Sequence, residues 1–191
     1  MAISLQKGAN VSLSKEAPGL SNILVGLGWD ARSTDGQAFD LDASAILADA
    51  SGKVRTDADF VFYGNKTHAD GSVVHLGDNL TGEGDGDDEQ ITVNLAGTAA
   101  DVDKIVIAVS IYDAVTRSQS FGQVRNAYVR IVNAADGVEI ARYDLSEDYA
   151  TETALVFAEV YRNGADWKFR AVGQGYTNGL EGIARDFGVS V

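Results

Sequence analysis

The sequence predicts an all-β fold, a β-sandwich of about ten short strands with one helix near the C-terminus. Short runs rich in β-branched and aromatic residues, in–out alternation within several of them, and turn residues between them carry that expectation. The runs are ILVGLGW (23–29), FDLDASAIL (39–47), DFVFY (59–63), ITVNL (91–95), KIVIAVSIY (104–112), AYVRIV (127–132), VEIARYDL (138–145), ALVFAEVYR (154–162) and WKFRAVG (167–173). In ITVNL, Ile91, Val93 and Leu95 share one face, with Thr92 and Asn94 on the other. Ser51-Gly52, Asp136-Gly137 and Asn163-Gly164 mark turns; the last suits a tight hairpin, since Asn and Gly both accept positive φ. Leu180, Ile183, Ala184 and Phe187 fall at helical spacing, with Thr177 or Asn178 as N-cap.

A chain of 191 residues can bury a substantial core, and with one proline and no low-complexity linker it reads as a single domain, 1–191. FDLDAS (39–44) and YDLSED (143–148) echo each other, but too briefly to make a repeat. No apolar run approaches the roughly 18–20 residues of a spanning helix, and MAISLQKGAN lacks a signal-peptide core, so a cytoplasmic location is expected. Cysteine is absent, which removes disulfides, thiolate metal sites and thiol redox chemistry. His68 and His75 are the only histidines, which argues against zinc.

The net charge is −13, and residues 1–100 carry 15 acids against 6 bases. Such a protein repels phosphate backbones and anionic lipid, so neither nucleic acid nor direct membrane insertion is expected. Cations or basic proteins are the complement. The charge peaks at residues 77–90, GDNLTGEGDGDDEQ, where six acids and four glycines occur without a base. Calcium takes six to eight oxygens, from carboxylates, amides, carbonyls and water, and needs a backbone free to curl around it. Asp78 and Asn79 open the loop, Gly82, Gly84 and Gly86 let it bend, and Asp85, Asp87, Asp88 and Glu89 close it. In the metal-free loop these carboxylates are expected to repel one another.

The loop is not an EF-hand: Leu80, Gly82 and Glu83 occupy interior ligand or turn positions, and its flanks read as strands. Without Gly-Lys-Ser/Thr it is no phosphate loop, and its single copy excludes a β-roll. Magnesium, or a merely solvated acidic tip, stays open. Asp40 and Asp42 alternate with Phe39 and Leu41, so both carboxylates leave one face of a strand. Asp30 stands where an apolar strand ends. All three could bring oxygens to the same end of the sandwich.

VGLGWDARSTDGQAFDLDASA, FVFYGNKTHADGSVVHLGDNLTGEGDGDDEQI, SFGQVRNAYVRIVN, ARYDLSEDYATETALVFAEVYR and WKFRAVGQGY resemble the TerD/TerE family, the tellurium-resistance and stress-response group also called cAMP-binding-protein-like. The similarity runs from about Ile3 to about Gly182. It implies a calcium-binding β-sandwich in the bacterial cytoplasm, two calcium ions near the acidic loop, and a link to resistance against tellurite, phage and colicins. The motif carries over onto Asp78, Asn79, Gly82, Asp87, Asp88 and Glu89; Asp70, Asp30, Asp40 and Asp42 match family positions as well.

These readings favour a calcium-loaded interaction or scaffold module rather than an enzyme. Its partners would be other proteins of the resistance and stress complex, including a membrane protein that could hold it at the inner membrane. A metal-dependent enzyme using the ion as Lewis acid is the alternative, and a passive structural role with incidental calcium is a third. No catalytic constellation and no organic cofactor site reads out. The basic stretch from Arg117 to Arg130 could meet an acidic partner or pair with the chain's own acids.

Overall fold

The computed structural model describes residues 2–33, 35–84 and 86–191. Twelve strands form two six-stranded sheets. One sheet runs β1 (Ile3–Ser4), β10 (Glu139–Asp144), β9 (Tyr128–Asn133), β3 (Asn22–Gly28), β7 (Glu89–Asn94), β6 (Val73–His75). The other runs β2 (Asn10–Ser12), β12 (Asp166–Tyr176), β11 (Ala154–Asn163), β8 (Lys104–Ile111), β4 (Leu41–Ala48), β5 (Phe60–Val61). Neighbours are antiparallel except β1 and β10. The expected all-β sandwich is borne out.

Two strands had no sequence signal. β1 and β2 are two and three residues long, too short to show a period, and both lie at sheet edges. β6 keeps three residues of the strand-like flank before the acidic loop and is an edge strand as well. The run 59–63 shortens to β5, because Asp59 closes a 3₁₀ turn (Asp57–Asp59) and the chain reverses at Phe62, which bridges to Asn65. Two one-turn helices, α1 (Leu13–Glu16) and α2 (Ala114–Arg117), are also too short to be periodic.

Alternation builds the core. Ile91 and Val93 of β7 face Leu41, Ala43, Ala45 and Leu47 of β4 across the sandwich in one buried cluster. The even residues of β4 are buried too, because Ile46 lies beneath α3 (Gly179–Asp186), whose Ile183 and Ala184 close a second apolar layer. A bulge between Val156 and Ala158 switches β11 between layers: Ala154 and Val156 lie under α3, while Ala158 and Val160 face the main core. The helix forms where expected, although the Asn178 side chain makes no capping bond. The β11–β12 hairpin pairs Asn163 with Asp166, so Gly164 at φ +63°, with Ala165, makes the turn, and Asn163 stays at negative φ.

The register also places the candidate acids. β4 begins where β8 ends, Leu41 opposite Ile111, and β7 begins where β3 ends, Glu89 opposite Leu27. One end of the sandwich therefore gathers Trp29, the β4 entry at Asp40–Asp42, Asp78 and Asp88 of the acidic loop, and the turn 112–118.

Candidate metal site

Asp40 and Asp42 leave the same face of the chain entering β4, as period-two geometry requires. Asp78 meets them from the acidic loop: one carboxylate oxygen from each lies within 4.8 Å of the others. Asp40 and Asp42 are buried; Asp78 is exposed. Together with Tyr63, Leu80, Tyr112 and Arg117 they line a cleft of about 330 Å³.

Glu89 stands behind this cluster. It faces the sandwich interior in register with Ile91 and Val93, and is 2% exposed. β5 is too short to pair with the start of β4, and Glu89 Oε2 accepts the Ala43 amide there at 2.5 Å. The same oxygen lies 3.5 Å from His75 Nε2. Glu89 Oε1 and Asp40 Oδ1 are buried with no protein partner. An unpaired buried carboxylate oxygen is costly, and a cation is the partner such oxygens fit.

The electrostatics agree. Burial pushes Asp42 up to about 7, reinforced by the neighbouring charges of Glu89, Asp40 and Asp78. Burial and Asp78 raise Asp40 against the lowering effect of Arg117. Burial raises Glu89 against the hydrogen bonds of His75 and the Ala43 amide. Without a cation the cluster can relieve its repulsion by retaining a proton.

The other acids of the loop have different neighbours. Asp87, its side chain fully buried, accepts from Arg130 Nε (2.7 Å) and Nη2 (3.1 Å), the Tyr128 hydroxyl (3.0 Å) and Gln90 (3.1 Å). Gly26 makes room for it, since a Cβ there would lie 2.2 Å from the Asp87 carboxylate. The repulsion expected at Asp87 is thus offset by the Arg130 guanidinium. Asp88 accepts the Trp29 amide (2.9 Å) and the Asn79 side chain (3.0 Å), and burial raises it. Asn79 in turn accepts the amides of Thr81 and Gly82, both at 3.1 Å. Gly82, at φ +71°, lies against the Trp29 indole, where a Cβ would come within 2.3 Å of Nε1. Asn79, Gly82 and Asp88 therefore fold the loop onto Trp29.

Asp30 accepts from Asn126 at 2.7 Å. Asp70 lies in another cluster, contacting His68 Nδ1 (2.6 Å) and the Ser72 amide (2.8 Å). Asp85 lies outside the described residues. The structure thus brings Asp40, Asp42, Asp78 and Glu89 together and gives Asp30, Asp70, Asp87 and Asp88 other partners. Tyr63, Tyr112 and Arg117 join the cleft without having been singled out individually. Arg117 was visible only as one of three arginines in a basic stretch, of which Arg130 pairs with Asp87 and Glu139.

Among the described residues no helix is long and apolar enough to cross a membrane. The TerD domain profile matches residues 1–187. The chain is 60% identical over 190 residues to the tellurium resistance protein TerD of Serratia marcescens, covering 100% of this chain and 99% of that one. It is 53% identical to general stress protein 16U of Bacillus subtilis, covering 100% of both. The fold matches the crystal structure of a homologue of telluride resistance protein (TerD) from Streptomyces coelicolor A3(2), with a TM-score of 0.67, 24% identity, and 87% and 96% of the two chains covered. With a whole-length domain match and relatives this similar, the chain belongs to the TerD family of tellurium-resistance and stress-response proteins.

Proposed function

We propose that this protein is a calcium-binding interaction module of a tellurite-resistance and general stress response, acting by binding rather than by catalysis. The observation that carries the reading is the convergence of Asp40, Asp42 and Asp78 on one cleft, backed by the orphaned oxygens Asp40 Oδ1 and Glu89 Oε1. The donors are all hard oxygens, which suits calcium. Asp40, Asp42 and Asp78 would hold the ion; Glu89, fixed by Ala43 and His75, would contribute charge from behind. When bound, the ion supplies charge neutralisation and a rigid junction between the β4 entry and the acidic loop. The second ion implied by the family resemblance would have to use the outer loop.

The chemistry argues against direct detoxification. Tellurite is an oxyanion, which this acidic cleft repels, and the chain has no thiol to reduce it. Action through partner proteins in the cytoplasm, including a membrane protein of the same resistance system, fits better.

Calorimetric titration of chelator-treated protein with calcium, magnesium held constant, tests the reading. Wild type is expected to bind at micromolar to millimolar calcium, with the stoichiometry giving the number of ions. Asp42→Asn and Asp78→Asn are expected to weaken binding at least about tenfold, as loss of ligand charge at close range should. Absence of calcium heat in folded wild type would overturn it.

A further inference from the structure

Arg117 is the one cation among the described residues lining the cleft. Its Nη1 lies 3.6 Å from Asp40 Oδ2, and its guanidinium sits 5.0 Å from the centre of the Tyr112 ring. It thus occupies the acid-and-aromatic space at the cleft mouth, as a guanidinium favours. It does not complete the site: the other oxygen of Asp40 stays buried without a partner, and Asp42 and Asp78 make no ion pair with Arg117. One guanidinium faces three carboxylates.

The segment that carries Arg117 is built under tension. α2 is a single turn between Asp113 at φ 50° and Ser118 at φ 52°, two non-glycine residues in the left-handed region. Three ties hold it against the β4 entry. The Tyr112 amide donates to the Asp40 carbonyl at 2.8 Å. Gln119 donates from Nε2 to the carbonyls of Gln37 (2.9 Å) and Ala38 (3.2 Å), and Arg117 pairs with Asp40. Val115, on the same turn, is 84% exposed.

We propose that Arg117 is a tethered counter-cation of this cleft, which a divalent ion must displace, so that ion binding releases the 113–118 turn. The proposal rests on the reading that the cleft binds calcium. Calcium sits about 2.3–2.6 Å from its oxygen ligands. An ion on Asp40 would therefore lie within a few ångströms of the guanidinium, where attraction to the carboxylates gives way to repulsion between like charges. The guanidinium has donors only and cannot share the ion's coordination. Arg117 swings away, the turn loses one of its three ties, and the surface around Tyr112 and Val115 changes with calcium. Calcium affinity is thereby coupled to the shape of an exposed surface.

The test is calcium titration of wild type, Arg117→Gln and Arg117→Lys, followed by calorimetry and by backbone amide spectra of residues 112–118. With the competing charge gone, Arg117→Gln is expected to bind calcium about tenfold or more tightly. Arg117→Lys, which keeps the charge, should stay within about threefold of wild type. In wild type, calcium should shift the amide signals of residues 112–118; in Arg117→Gln these signals should already be shifted before calcium is added. Folded Arg117→Gln protein that binds calcium no more tightly than wild type overturns the proposal, as does Arg117→Lys gaining as much as Arg117→Gln. If none of the three binds calcium while all remain folded, the metal reading itself fails and takes this proposal with it.

Discussion

Asp42 and Asp59 are both buried aspartates, 7% and 2% exposed, yet their surroundings move them in opposite directions. Asp42 lies among carboxylates, and burial with their repulsion lifts it to about 7. Unfolded, it would ionise near pH 3.9. Between these values the metal-free folded state binds more protons than the unfolded state, so Asp42 makes stability fall as pH rises from about 4 to about 7. Asp42→Asn should abolish that slope. In chelator, urea unfolding should find the variant more stable than wild type at pH 8, by on the order of 2–4 kcal/mol, with the difference fading toward pH 4. A metal-free Asp42→Asn protein less stable than wild type at pH 8 would show that the cluster is not under repulsion. If calcium takes the proton's place, as proposed, the sign reverses and its affinity should drop below pH 7.

This is also where the sequence was most and least informative. The density of acids and glycines from Asp78 to Glu89 marked the loop, and period-two spacing placed Asp40 and Asp42 on one face. Neither signal could sort the acids by neighbour. Asp87 is neutralised because β9 sets Arg130 opposite Gly26, a position that leaves space for a carboxylate. Glu89 joins Asp42 only because the two sheets close on each other at the start of β4, where its β5 side is unpaired. Both facts are tertiary.

At the scale of elements, a line of charges ties the turn before β5 to the turn before β6. Arg55 donates to Asp59 from Nε (3.1 Å) and Nη2 (2.7 Å), His68 Nε2 lies 2.9 Å from Asp59, and His68 Nδ1 reaches Asp70. Burial alone would raise Asp59; the hydrogen bonds of Arg55, His68 and the Arg55 and Thr56 amides outweigh it and bring it down to about 2. Here the folded state holds the proton less tightly than the unfolded chain. The stabilisation is present above about pH 4 and is lost as pH falls toward 2. Asp59→Asn should cost about 3–5 kcal/mol at pH 7, since it removes the buried carboxylate that pairs with Arg55 and bonds to His68. The deficit should narrow as both proteins are unfolded at successively lower pH from 4 to 2; a constant deficit would exclude the ionic tie. The sequence showed His68 and Asp70 close to the loop, but assigned Asp70 to the candidate metal ligands. The approach of Asp59, nine residues before His68, depends on the reversal at Phe62.

Over the whole molecule, twelve strands enclose one main core and leave the acidic cleft at one end, where strand starts and strand ends meet. The long strands were legible because five or more residues reveal a period; β1 and β2 were not. A chain with no cysteine should not speed reduction of tellurite by a generic electron donor. Tellurium formation faster with purified protein than without it would contradict an indirect role.

The central claim is that calcium sits on the Asp40–Asp42–Asp78 cleft and that Asp87 belongs to the scaffold. Thermal unfolding at several calcium levels, with magnesium constant, separates the two. A free-ion concentration about a hundred times Kd stabilises by roughly 2.7 kcal/mol, or roughly 5–10 °C in a domain of this size. Wild type should gain that much. Asp87→Asn should start lower, having weakened its tie to Arg130, yet gain as much from calcium as wild type. Asp42→Asn should start no lower at pH 8 and gain little. An Asp42→Asn protein that rises with calcium as wild type does, or an Asp87→Asn protein that no longer rises, would place the ion elsewhere in the loop and contradict the account.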